Sequence, residues 1–235
     1  MNTTRRRLFT IGAAAIGTTF LTAEQAFADG YGSGALGPWQ NLSKQISTMD
    51  QIGPVLRSNG LFMFGDSISV QDGRALAERL LPNNQIAVHN WSGRPTEPAV
   101  DALEQWAQAY GLPTRILMAT GSNDIFTPPV FGAQVARTMS IVGPNRKVFW
   151  VNVQVARTSQ STAVQLADQR NSAWINLQLA DAQRKYPNLE IIRWAEFLAG
   201  KPSRLTAYLR DGVHTSVPEG QAARNELIAD AIENG

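Results

Sequence analysis

Short apolar runs alternate with longer amphipathic segments from Leu61 to Glu233, and this alternation restricts the fold more than any other feature of the chain. Leu61 to Phe64 is a continuous apolar run that ends in Gly65, as expected of a buried strand. Further strands are predicted at Gln85 to His89, Arg115 to Ala119, Val148 to Val153 and Leu189 to Ile192. Helical patterns separate them at Gly73 to Leu81, Thr96 to Tyr110, Val130 to Ile141 and Thr162 to Lys185, and Pro218 to Glu233 closes the chain. The helix from Thr96 shows the periodicity well: Val100, Leu103, Trp106, Ala107 and Tyr110 fall on one face. A strand that leads through a helix to the next strand builds a parallel sheet with helices on both faces. The fold class is therefore α/β, with three α/β/α layers around a parallel five-stranded sheet.

In such sheets ligands bind at the carboxyl ends of the strands. Those ends carry polar and glycine-rich segments here. They are Gly65-Asp66-Ser67-Ile68-Ser69, Asn90-Trp91-Ser92-Gly93-Arg94, Thr120-Gly121-Ser122-Asn123-Asp124 and Gln154-Val155-Ala156-Arg157, and past the fifth strand Asp211-Gly212-Val213-His214-Thr215. The parts of an acyl-transfer site can be assembled from them. A serine hydroxyl is a poor nucleophile until a base takes its proton, and imidazole does this near neutral pH. Asp211 lies three residues before His214, close enough for the carboxylate to reach one ring nitrogen while the other faces Ser67. Gly93 lacks a Cβ and can bring its N–H close to a substrate, and the Asn123 amide can reach the same oxygen.

Each residue also has a plainer reading. Ser67 can cap the segment that follows it. Gly93 can serve a tight turn, and Asn123 can close an Asx-turn on its own loop. Asp124 can brace its loop and stays outside the catalytic set. His89 ends a strand after an apolar lead-in, as a structural histidine does. Arg157 suits substrate contact and a solvated loop equally well.

Taken together, Gly65-Asp66-Ser67-Ile68, Gly93, Gly121-x-Asn123-Asp124 and Asp211-x-x-His214 resemble the four sequence blocks of the SGNH, or GDSL-like, hydrolases. The blocks occur in the family's order and span Leu61 to Thr215. Ile68 stands where the family name has leucine. The resemblance implies a flavodoxin-like fold and esterase or acyltransferase activity with no metal or organic cofactor. It assigns Ser67 as nucleophile, with Asp211 and His214 completing the triad. It assigns the oxyanion hole to the N–H groups of Ser67 and Gly93 and the side chain of Asn123. The nucleophile elbow of α/β-hydrolases is a different device: Gly65-x-Ser67-x-Ser69 lacks the second glycine of G-x-S-x-G.

The first 28 residues read as a signal peptide. Met1 to Arg7 is basic, Leu8 to Leu21 is apolar but diluted by glycine and threonine, and Ala26-Phe27-Ala28 gives a small-x-small cleavage pattern. Thr4-Arg5-Arg6-Arg7-Leu8-Phe9 resembles a twin-arginine export signal, against the alternative of an ordinary secretory signal. The expected location is therefore periplasmic, envelope or secreted, with the membrane met only during export. The same segment explains the pI of about 9.1. Of 21 basic and 19 acidic residues it holds Arg5, Arg6, Arg7 and Glu24, so the remainder is balanced and nothing favours nucleic acid. The chain has no cysteine, which excludes disulfides, thiol catalysis and thiolate metal sites.

Residues 29–58 read as a leader and N-terminal segment ahead of a hydrolase-like domain over 59–235. Within it, Asp29 to Gly37 reads as flexible linker. Gly32-x-Gly34-x-x-Gly37 matches a dinucleotide fingerprint on paper, but no strand precedes it. Trp39 to Met49 is predicted to be a short amphipathic helix, with Gly53-Pro54 as a stop. The short remaining length leaves little room for a lid, which implies an open cleft. The expected partner is a small-molecule, lipid or glycan ester. The function expected is hydrolysis of acyl esters through acyl-Ser67. The alternatives are transfer of the acyl group to a sugar or lipid hydroxyl, and a non-catalytic envelope-binding domain on the same fold.

Overall fold

A computed structural model of the chain describes residues 30–235; the signal-peptide reading of residues 1–28 lies outside them. The elements are β1 (Lys44–Ile46), α1 (Met49–Arg57), β2 (Leu61–Gly65), α2 (Ser67–Leu80), β3 (Ile86–Trp91), α3 (Thr96–Tyr110), β4 (Arg115–Ala119) and α4 (Phe131–Val142). They continue as β5 (Lys147–Val151), α5 (Thr162–Lys185), β6 (Leu189–Ile192), α6 (Trp194–Ala199), α7 (Pro202–Tyr208) and α8 (Glu219–Asn234).

The strands form one sheet in the order β1-β3-β2-β4-β5-β6. The five strands from β2 to β6 are parallel, and β1 joins the β3 edge antiparallel, pairing Lys44 with Trp91 and Ile46 with His89. The five-stranded parallel core therefore has the flavodoxin-like strand order, and the sheet as a whole has one strand more than the sequence predicts. The extra strand is three residues long with none of them buried, too short to show a period, and it stands where the sequence predicts a helix. That helix begins instead at Met49 and carries Pro54 in its interior rather than stopping before it.

Alternate residues of each strand feed opposite layers, as the pleat requires. Phe62, Phe64, Ile116, Met118, Val148 and Trp150 pack with the buried faces of α3, α4 and α5. Leu61, Met63, Leu117, Phe149 and Val151 pack on the other side, with Leu76 and Leu80 of α2 and Ile228 and Ile232 of α8. All five residues of β2 are buried. β2 is the central strand from which the chain first winds to β3 and then crosses to β4 on its other side. The carboxyl end of β2 is thus the topological switch point, where open α/β sheets bind ligands.

The glycine-rich segment after residue 29 is not a linker in the structure. Ser33 is buried, with 2% of its surface exposed. Asn171 of α5 donates through Nδ2 to Ser33 Oγ at 2.9 Å and to the Tyr31 carbonyl at 3.0 Å. Tyr31 packs edge-on against Trp174 of the same helix. Composition marks this segment as flexible, but buried hydrogen bonds fix it to α5. No helix among the described residues is long and apolar enough to cross a membrane.

Candidate active site

Ser67 is the first residue of α2 and follows directly on β2. Asp66, not Ser67, is the N-cap: its Oδ1 accepts from the Ile68 N–H at 3.0 Å. The Asp66 carboxylate also accepts from the Ser122 hydroxyl. Burial pushes the Asp66 carboxyl above the ordinary range, while the hydrogen bond from Ser122 and the charge of Arg224 pull it back. With the capping role taken by its neighbour, Ser67 is free to present its hydroxyl. Its N–H, in the first turn, has no partner within the helix.

The Ser67 hydroxyl lies 2.8 Å from His214 Nε2. On the far side of the ring, His214 Nδ1 donates to Asp211 Oδ2 at 2.8 Å. The other carboxylate oxygen, Oδ1, accepts from the backbone N–H of His214 at 2.8 Å and of Val213 at 3.0 Å. One side chain thus shapes the turn and orients the ring that the turn carries. Burial acts to raise the Asp211 carboxyl, but the hydrogen bonds from His214 and Val213 outweigh it and hold the group below its usual value. An anionic Asp211 keeps the proton on Nδ1 and leaves Nε2 to accept from Ser67.

The turn is anchored at both ends. Ala156 N–H donates to the Gly212 carbonyl at 2.9 Å, and Thr158 N–H to the Asp211 carbonyl at 3.0 Å. Gly212 has φ +83°, a conformation open to glycine. Beyond His214, the Thr215 hydroxyl donates to Asp72 of α2 at 2.9 Å, and Gln71 Nε2 donates to Thr215 Oγ1 at 2.7 Å. These bonds register the histidine loop against the helix that starts with Ser67.

Two clefts meet at Ser67, His214 and Asn123. One, of about 470 Å³, is also lined by Leu42, Ser92, Gly93 and Arg210. The other, of about 230 Å³, runs past Phe126, Val155, Arg157 and Val213. Gly93 has φ +75°, and a Cβ there would press on Trp39 and Leu42. The Gly93 N–H makes no hydrogen bond among the described residues. Asn123 Nδ2 donates one N–H to the Arg94 carbonyl at 3.1 Å, and the second remains available at the junction of the clefts. The structure therefore gathers all six residues singled out from the sequence, Ser67, Asp211, His214, Gly93, Asn123 and Arg157, along one sheet edge. Arg157 reaches the narrower cleft with its guanidinium already paired to Asp168.

The sequence alone predicts no role for Arg94. Its side chain is fully buried. Nε donates to the Gly65 carbonyl at 3.0 Å, Nη1 donates to His89 Nδ1 at 2.8 Å, and Nη2 donates to the His89 carbonyl. Burial, aided by the Arg94 charge, pushes His89 down to about 4, so the ring is neutral and accepts at Nδ1. The same arginine thus ties the end of β2, the end of β3 and, through its own carbonyl, Asn123. A lone arginine after a glycine carries no sequence signal for this. Asp124 is buried as well. Burial raises its carboxyl to about 7 against the hydrogen bonds it receives from Thr96 N–H and Oγ1. No cluster of three or more acidic or histidine side chains placed to hold a metal occurs among the described residues.

No protein-family model matches the chain, and no curated protein matches it. Solved structures do, and their fold is that of the SGNH/GDSL hydrolases. A GDSL-like lipase from Bacteroides thetaiotaomicron superposes with a TM-score of 0.62 at 18% identity, covering 79% of this chain and 94% of that one. A lipase/acylhydrolase from Enterococcus faecalis gives 0.61 at 18% identity, over 74% and 95%. The C-terminal catalytic domain of peptidoglycan O-acetyltransferase A from Streptococcus pneumoniae, with a methylsulfonyl adduct, gives 0.57 at 20% identity, over 74% and 90%. This chain has the SGNH-hydrolase fold, as its four sequence blocks imply.

Proposed function

We propose that the protein is an exported serine esterase that hydrolyses acyl esters, short-chain or glycan-borne, through an acyl-Ser67 intermediate. The observation that carries this reading is the unbroken relay of Ser67 Oγ, His214 and Asp211, with two bonds of 2.8 Å, at the switch point of the sheet. His214 takes the Ser67 proton as Oγ attacks the acyl carbon. The tetrahedral oxyanion is met by the N–H groups of Ser67 and Gly93 and the Asn123 amide. Collapse expels the alcohol, which receives the proton from His214, and water activated by the same ring releases the acid. Export rests on the basic and apolar N-terminus with its twin-arginine-like stretch. An intact relay argues against a purely binding role.

A fluorophosphonate probe tests the nucleophile directly. It is expected to label the wild type and not Ser67→Ala; equal labelling of the two would remove Ser67 from this role.

Transfer to an alcohol is the second reading, favoured by the likeness to a peptidoglycan O-acetyltransferase domain and by the wide second cleft beside Ser67. Both readings share the acyl-enzyme and differ only in the acceptor. Product analysis with and without a glycan acceptor separates them: an acylated glycan assigns transfer, and free acid alone assigns hydrolysis.

A further inference from the structure

Arg157 is held more rigidly than a solvated loop arginine needs to be. Its Nε and Nη2 donate to the two carboxylate oxygens of Asp168 at 2.8 and 2.7 Å, and the Asp168 side chain is completely buried. Nη2 donates its other N–H to the Ser33 carbonyl at 2.5 Å, and Ser33 is itself fastened to α5 through Asn171. The guanidinium lies over the Phe126 ring, 5.0 Å from its centre. Three of five N–H donors are thereby committed. The two on Nη1 make no hydrogen bond among the described residues, although the side chain keeps 25% of its surface exposed beside the cleft that Ser67 and His214 line. An edge of two donors is thus fixed in advance, with the entropy of ordering it already met by Asp168 and Ser33.

The charges around it select the kind of group it can meet. Asp168 balances the guanidinium, and the Asp211 carboxylate lines the same cleft. An anionic substituent would gain the N–H donors but face Asp211. A hydrocarbon substituent would strip water from two guanidinium N–H groups and give nothing back, which costs more than a hydrogen bond is worth. A neutral oxygen acceptor meets neither objection.

We infer that Arg157 is a specificity-determining residue whose Nη1 edge donates to a hydroxyl, ether or carbonyl oxygen on the part of the ester that occupies this cleft. The substrate class is therefore an oxygenated ester, of the kind glycans carry, rather than a plain alkyl one. This rests on the acyl-transfer reading of Ser67. Two clefts meet at Ser67, so the acyl group takes one and the alcohol the other.

The test uses matched substrate pairs that differ by one CH2 replaced with oxygen. Aryl butyrate against aryl methoxyacetate probes the acyl side, and cyclohexyl acetate against tetrahydropyran-4-yl acetate probes the alcohol side. Each kcat/KM ratio is divided by the ratio for hydroxide-catalysed hydrolysis, which removes intrinsic reactivity. The wild type is expected to favour the oxygen member of one pair by about tenfold. Arg157→Met and Arg157→Lys are expected to bring that ratio toward one, because an ammonium facing Asp168 offers no second edge. The pair that responds identifies which part of the ester the cleft holds. Ratios near one for both pairs in the wild type overturn the inference without any appeal to a variant. So does a wild-type preference that Arg157→Met retains. Flat ratios beside Ser67-specific probe labelling would sink this inference and leave the proposed function standing.

Discussion

The Arg94 carbonyl accepts a hydrogen bond from Asn123 Nδ2 at 3.1 Å, and this one contact sets the aim of the Asn123 amide. With one N–H held, the other is fixed in direction before any substrate arrives. Preorganised donors of this type act mainly on the transition state, where the oxyanion forms. Asn123→Ala is therefore expected to lower kcat about 10²–10³-fold on an aryl acetate while KM changes little. Steady-state kinetics on the purified variant check this. A rise in KM with kcat preserved would show that Asn123 binds the ground state instead.

Asp211 is asked to do two things, and an asparagine separates them. In Asp211→Asn the side-chain carbonyl oxygen still accepts from the backbone of Val213 and His214, so the turn persists. The amide nitrogen then faces His214 Nδ1, where two donors cannot share a bond. The imidazole is driven to the wrong tautomer or turned away from Ser67. The expected outcome is a loss of about 10³–10⁴ in kcat with a melting temperature close to the wild type. Unfolding of the variant at room temperature would show that the charge, not the bonding pattern, holds the turn.

The legibility of this molecule from sequence follows physical signal strength. Thr96–Tyr110, Arg115–Ala119, Thr162–Lys185 and Leu189–Ile192 have the bounds that periodicity predicts. Each combines a long or strongly apolar pattern with a clear breaker, such as Gly111 or Pro187. The sequence pattern puts the start of α2 too late because Ser67 to Gln71 mixes polar and apolar residues while it lies against β3 and the histidine loop. β1, α6 and α7 leave no legible pattern because segments of three to seven residues show too little of a period. The relay of Ser67, Asp211 and His214 was legible because the chemistry demands particular residue types at strand ends. Arg94, Asp72 and Asp168 were not, because a buried charge gives no local pattern; its partners come from distant parts of the chain.

Asp124 supplies a pH dependence of stability. Burial lifts its carboxyl to about 7 from an unperturbed 3.8. A group whose folded value is the higher one stabilises the fold at low pH, and that contribution is lost as pH rises through the folded value. Stability from this group therefore declines between about pH 4 and pH 7. Asp66, also raised by burial, acts in the same direction. Asp124→Asn keeps an acceptor for Thr96 and removes the titration, so the variant is expected to gain on the wild type by about 4 kcal/mol between pH 4 and pH 8. Urea unfolding midpoints of both proteins across that range measure it. Parallel curves would show that Asp124 titrates as an ordinary carboxylate.

Gly212 tests whether the histidine loop is held by its backbone rather than by its side chains. The residue sits at φ +83°, and a Cβ built on it would overlap the Ala156 carbonyl. A positive φ alone costs a non-glycine residue about 1–2 kcal/mol. The overlap adds a displacement that nothing flexible can absorb, since the obstacle is main chain. Ala156 is the residue whose N–H holds the Gly212 carbonyl, so both strands of the contact must separate. Gly212→Ala is thus expected to move Asp211 and His214 together, leaving their mutual bond intact while lengthening the reach from Nε2 to Ser67. The expected signature is a fall in kcat of about 10²-fold or more, since misplacement of about 1 Å costs that much. Fluorophosphonate labelling should slow in parallel, and unfolding free energy should drop by about 2 kcal/mol or more. A variant as active as the wild type would show that the loop tolerates a shifted backbone, and that the side-chain bonds from Thr215 to Asp72 and Gln71 suffice to register His214 against Ser67.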